Sequence, residues 1–171
     1  MLKKIQQRFL RKLTDKNLKN RDTSNLNEAV KTIGFLVDEE LFNDFEKLYV
    51  ISEKMGLKRK DVKIFTFMRV KKKTPSLRQN QINNKHFTWK GEIHHQNANE
   101  FLEMQLDVLV GYYNSKNDYL DVMMSYSKAK FKVGFSETDK RLSDLLISVN
   151  PLEVDQFGQE LIKYLKVLNK I

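Results

Sequence analysis

The sequence predicts a three-layer α/β domain of the Rossmann or flavodoxin-like kind, with a mostly parallel sheet of about five strands and an extra basic helix at the N-terminus. Three observations predict it. Short apolar runs alternate with amphipathic stretches at helical spacing along most of the chain, the pattern of successive βα units. The apolar runs are nearly continuous rather than alternating, as strands buried on both faces require. Only 6 Gly and 2 Pro are present in 171 residues, too few for a many-turned β-barrel and in keeping with long regular elements.

The elements follow in order. Residues 2–20 read as a helix with an apolar stripe of Leu2, Ile5, Phe9 and Leu13, and residues 22–27 as a polar connector. Thr32–Val37 reads as a buried strand. Asp38, followed by Glu39 and Glu40, reads as the cap of a helix that carries Leu41, Phe45, Leu48 and Met55 and stops at Gly56. Val62–Val70 is the next strand, Lys71–Gln81 a polar loop, and Phe87–Ile93 a short strand or an anchored loop. Asn97 and Glu100 resemble a capping pair for a short helix ending at Gln105. Leu106–Tyr112 is a strand, Ser115 and Asp118 cap a helix over Tyr119–Lys128, and Phe131–Phe135 is a strand. Ser136 and Asp139 suit one further turn, and Leu145–Val149 a last strand. Asn150-Pro151-x-Glu153 then opens a terminal helix that buries Val154, Phe157, Leu161, Tyr164, Leu165 and Leu168.

Composition bounds the function. Forty per cent of residues are apolar, with 11 Phe and 6 Tyr, enough for a core in a single domain. There is no cysteine, so disulfides, thiolate metal sites and cysteine nucleophiles are excluded. The longest apolar runs, such as Ile33–Val37, are far too short to cross a bilayer, and no apolar stretch follows the basic N-terminus as a secretory signal would require. Residues 1–13 are basic and free of acid, as a mitochondrial presequence also is, but lack serine. The expected location is cytoplasmic.

The net charge of +9 is unevenly spread. Residues 1–22 carry +6, residues 58–90 carry +10, and the remainder carries −7. An acidic body with two basic blocks points to a polyanionic partner. The domain plan is a basic helix or arm over 1–22 and one α/β domain over 23–171, with a basic loop insertion at about 70–95.

Candidate chemistry is sparse. Ligands of open α/β sheets bind beyond the carboxyl ends of the strands. The residues expected there include Asp38, Arg69, Lys71, Tyr112, Tyr113, Asn114, Ser115, Ser136 and Asn150, and a ligand crevice would use Asp38, Tyr113, Asn114, Ser115 and Asn150. Helix capping accounts for Asp38, Ser115, Ser136 and Asn150 equally well by position. No G-x-G-x-x-G, Walker loop or G-x-S-x-G is present. His86, His94 and His95 have no metal-ligand spacing, so no cofactor or metal is expected.

The segment Lys58–Lys90 is the most informative. Arg69, Lys71, Lys72, Lys73 and Arg78 are interleaved with amides and followed by Phe87 and Trp89. Lysine and arginine neutralise phosphates, amides pair with base edges and aromatics stack on bases. A solvated loop whose aromatics plug the core is the competing reading. The first helix adds Lys3, Lys4, Arg8, Arg11 and Lys12. It is expected to dock on the domain, to order on RNA or DNA as an arm, or to lie on anionic lipid, in that case without a tryptophan in its stripe.

From Leu106 onward the strings V-L-V-G-Y-Y-N, Y-L-D-V-M-M-S-Y-S-K-A, K-F-K-V-G-F and D-L-L-I-S-V-N-P resemble a family of short uncharacterised basic α/β proteins from Bacteroidota-type bacteria, to which no activity is assigned. The same strings loosely resemble half of a sugar-nucleotide-binding transferase domain, without its acceptor domain. The expectation is a non-enzymatic nucleic-acid-binding protein whose partner is RNA or a ribonucleoprotein. A Rossmann-like small-molecule site at the strand ends is the alternative, and a membrane-surface or acidic-protein adaptor the third reading.

Overall fold

The structure, a computed structural model, describes residues 1–71 and 78–171. Six strands form one sheet: β1 (Ile33–Asp38), β2 (Val62–Met68), β3 (Gln81–Asn83), β4 (Val108–Tyr112), β5 (Phe131–Phe135) and β6 (Leu145–Ile147). Their spatial order is β3-β2-β1-β4-β5-β6 and every pairing is parallel. This is the order of dinucleotide-binding folds, with its reversal between β1 and β4. The helices are α1 (Leu2–Lys19), α2 (Phe45–Lys54), α3 (Gln96–Glu103), α4 (Asp118–Tyr126) and α5 (Val154–Val167).

Strand alternation sorts the side chains into two cores. Ile33, Phe35, Val37, Val133 and Phe135 face α2 and α5, where Leu48, Ile51, Phe157 and Leu161 close over them. Leu36, Phe65, Phe67 and Leu109 face α1, α3 and α4, and meet Leu10, Phe101, Leu120 and Met123. Both faces are covered, as the continuous apolar runs demand.

Several local expectations are corrected, most of them by the same chemistry. The carboxylate of Asp38 accepts the Glu40 N–H and closes a turn, so α2 starts only at Phe45. Asn150 likewise accepts the Leu152 N–H, and α5 starts at Val154. Asp and Asn favour such side-chain-closed turns as strongly as they favour caps. The cap of α4 is Asn117, which accepts from the Tyr119 and Leu120 N–H groups, while Ser115 is exposed. The cap of α3 is His95, whose Nδ1 accepts the Ala98 N–H, rather than Asn97. Ser136 bonds Ser148 and caps nothing, whereas Asp139 caps a 3-10 turn at Lys140–Leu142. Within the segment expected as a loop, Gln81–Asn83 pairs with Thr66–Met68 as the edge strand β3.

The buried face of α1 also differs from the expected stripe. Leu10 and Thr14 are buried and Gln6, Leu13 and Asn17 half-buried, whereas Leu2 and Ile5 face solvent. The burial centre is rotated toward Gln6 and Asn17 because these two amides find polar partners across the interface.

Candidate functional site

Polar contacts set α1 parallel to α4. The Gln6 amide donates to the carbonyls of Phe87 and Thr88 at 3.2 and 3.1 Å, and its oxygen accepts from the Tyr119 hydroxyl at 2.9 Å. Arg11 pairs with Asp118 at 3.0 Å, and Asn17 donates to Ser125 at 3.0 Å. The first turns of α1 therefore stand beside the first turn of α4, at the end of the sheet where the strands leave. The basic half of α1 is carried to that end by Gln6 and Asn17 together with one basic side chain, Arg11.

The loop after β3 is fastened to the same place. Phe87 and Ile93 form an antiparallel bridge, and the Gly91 N–H bonds the Thr88 carbonyl. Gly91 has φ +88°, and a Cβ there would lie 2.7 Å from Leu13, so the loop sits directly on α1. Phe87 turns inward against Phe67 and Tyr119. Trp89 turns outward: it is 57% exposed, with the Phe9 ring set perpendicular at 5.2 Å and the Lys90 ammonium 5.2 Å from its centre. Of the two aromatics read as core plugs or stacking groups, one therefore plugs the core and the other does not.

Most of the cations of α1's first half form no ion pair among the described residues. Lys3, Lys4, Arg8, Lys12 and Lys71 are exposed and have no ion pair among the described residues. Arg69 lies over the Tyr119 ring at 5.7 Å, which ties the end of β2 to the Gln6 contact. Arg11 is half engaged: its side chain keeps 51% exposure while holding Asp118. Arg78 is apart from this group, paired with Glu39 at 2.7 Å over the Phe45 ring. Lys72 and Lys73 lie outside the described residues. Arg59 is also neutralised, by Glu46 at 2.7 Å.

Sequence reasoning missed Gln6, Phe9 and Gly91 as the parts that assemble the site. Gln6 recurs with Leu10, Leu13 and Asn17 at helical spacing, and that was the available signal. It was masked because two of those four residues are polar.

The crevice at the β1/β4 reversal is filled. Phe42 packs on Tyr112 at 4.8 Å, and the Tyr112 hydroxyl donates to the Pro151 carbonyl at 2.6 Å. Tyr113 is buried and donates to Asp121 at 2.8 Å, which leaves it no reach into the crevice. Burial pushes Asp121 up to about 6 and raises Asp38 above its ordinary range. Asn114 and Asn150 line a shallow groove with Glu137 and Pro151, Ser115 stands outside it, and Asn150 is occupied by its own turn. The histidines serve locally: His86 accepts the Asn83 N–H, and His95 caps α3 with its pKa lowered by burial and by His86. Among the described residues no group of three metal-ligating side chains converges. Nor is any helix among them long and apolar enough to cross a membrane.

These features define a Rossmann-like parallel α/β protein in which, among the described residues, Phe42 and Pro151 cover the end of β4, with a basic, tryptophan-bearing corner where α1 meets the loop after β3. The profile of a family of unknown function (DUF6913) matches residues 6–168, and the chain belongs to that family. The match begins within α1, so most of that helix lies inside the family unit. No curated protein and no solved structure gives a significant match.

Proposed function

We propose that the protein binds nucleic acid, RNA or a ribonucleoprotein in preference to DNA, and that it does so without catalysis. One observation carries this reading: Lys3, Lys4, Arg8 and Lys12 are exposed and form no ion pair among the described residues, on the same helix whose Phe9 packs against the exposed Trp89 and its neighbour Lys90. Lys3, Lys4, Arg8, Arg11, Lys12, Arg69 and Lys71 contact phosphates in this reading, joined by Lys72 and Lys73 of the adjoining segment. RNA is favoured because its unpaired loops and ends present open base faces. The filled crevice argues against the small-molecule alternative. A cytoplasmic site of action goes with this function.

Fluorescence anisotropy of a labelled RNA at several salt concentrations tests it. Log affinity is expected to fall linearly with log salt, by ~0.7 per phosphate neutralised on a single strand. Charge reversal at Lys4, Arg8 and Lys12 together is expected to abolish binding at physiological salt. Unchanged affinity in that variant overturns the proposal.

A second reading has one observation in its favour. Met1, Leu2 and Ile5 of α1 are exposed, and Trp89, exposed as well, packs against Phe9 of the same helix, so the tryptophan missing from the helical stripe is supplied by the neighbouring loop. A basic apolar ridge of this kind suits an anionic membrane surface.

A further inference from the structure

Resting on the nucleic-acid reading above, we infer that the ligand is single-stranded: Trp89 receives one unpaired base on its indole, and the cations of α1 carry the backbone away from it. The indole is presented, not left loose. Phe87 anchors the loop two residues earlier, the Gly91 turn seats it on Leu10 and Leu13, and Gln6 holds both intervening carbonyls. Ordering costs that a flexible aromatic would incur on binding are already met by the fold. The Phe9 ring supports the indole from α1, the Lys90 ammonium lies over the ring, and Trp89 as a residue remains 57% exposed.

The chemistry separates single strands from duplexes. A stacked duplex offers phosphates but no free base face, so it can use the cations and not the tryptophan. A single strand uses both, and base–aromatic stacking is tolerant of sequence because every base has a π-face. The outward row of α1 is Lys4, Arg8, Lys12, Lys16 and Lys19, which spans about 22 Å at the helical rise. That row contains no Asn or Gln to read base edges, so binding is expected to be indifferent to sequence.

The chain has a single tryptophan, so its intrinsic fluorescence reports on this residue alone. The intact protein is titrated with a short oligo-uridine, with the same oligonucleotide annealed to its complement, and with phosphatidylcholine–phosphatidylserine vesicles. Labelled versions of both nucleic acids give affinities by anisotropy. The inference expects quenching by the single strand, weaker binding of the duplex, and little change with vesicles. Trp89→Ala is expected to weaken single-strand binding about tenfold, within the range that stacking supplies, with the salt slope unchanged. Trp89→Phe is expected to restore most of that loss, which also separates stacking from damage to the fold.

Single-strand binding with unquenched emission and an unaffected Trp89→Ala variant overturns the inference while the nucleic-acid reading stands. Equal affinity for duplex and single strand does the same. No binding of either nucleic acid overturns both. A blue-shifted, brightened emission with vesicles and none of the RNA effects replaces both with the membrane reading.

Discussion

At the end of the sheet where the strands begin, Lys130 bridges Asp107 and Glu28 at 2.8 and 2.5 Å, and Arg21 grips Asp144 with both terminal nitrogens at 2.7 and 2.8 Å. Lys170, itself buried, donates to the backbone carbonyls of Leu26 and Glu28. At the end where the strands leave, Lys3, Lys4, Arg8 and Lys12 face solvent and form no ion pair among the described residues. The two ends are built from the same residue types and use them oppositely. In the first, each cation ties two segments distant in the chain. In the second, the cations hold nothing, and their removal would leave the fold unaltered. A surplus of formal charge does not separate the two ends; what separates them is whether a fold contact consumes each cation.

The largest effect is expected from breaking the paired end. Asp144→Ala leaves the Arg21 guanidinium shielded and uncompensated, and also removes the acceptor for the Lys132 N–H. Urea unfolding should show a loss on the order of 2–3 kcal/mol, from a bidentate, partly shielded charged pair together with the lost acceptor of the Lys132 N–H.

A second effect, distinguished by its pH dependence, is expected at Lys132 on β5. Its side chain is enclosed and its ammonium donates to the Met124 carbonyl. Burial pushes its pKa down from 10.5 to about 7, with the nearby Arg21 adding to the fall. Between those values the unfolded chain binds more protons than the folded one. This residue's contribution to stability therefore rises with pH from about 7 to about 10, and its cost is greatest below 7. The slope is bounded at about 1.4 kcal/mol per pH unit. Lys132→Met should flatten that slope and raise the melting temperature most at the acid side. A variant with the parental pH profile would show that Lys132 is not the source.

Gly91→Ala sharpens the comparison at the join between loop and α1. The positive φ and the contact with Leu13 should together cost about 1–3 kcal/mol in thermal unfolding. The Trp89 emission should shift toward that of a solvated indole as the loop leaves α1.

The smallest effect on stability belongs to the unpaired end. Replacing Lys4, Arg8 and Lys12 by Glu one at a time should change unfolding free energy by no more than about 0.5 kcal/mol each. A loss comparable to that of Asp144→Ala would erase the distinction between the two ends.

The strands were legible because each is a run of apolar residues whose burial is written in its own composition. The exception is β3, where Gln81 and Asn83 are polar and only pairing with Thr66–Met68 makes a strand. Helix starts were misplaced at Asp38 and Asn150 because the residues that cap helices also close turns, and at Ser115 because Asn117, two residues on, is the cap. The candidate site was half legible: the basic blocks could be counted, but Arg78 and Trp89 could not be told apart in fate. Arg78 meets Glu39 and Trp89 meets Phe9 only once the chain is folded.

Periodicity, apolar runs and charge blocks are properties of neighbouring residues, so the parallel α/β architecture and the two basic segments followed from sequence. Which cations remain free depends on distances between residues far apart in the chain, such as Arg21 and Asp144 or Gln6 and Thr88. Those distances are set by how α1 lies on α4, and that packing rests on amides, a hydroxyl and one ion pair whose helical spacing carries no apolar signal. The tertiary structure therefore decided where the positive charge is usable, and it brought the tryptophan to it.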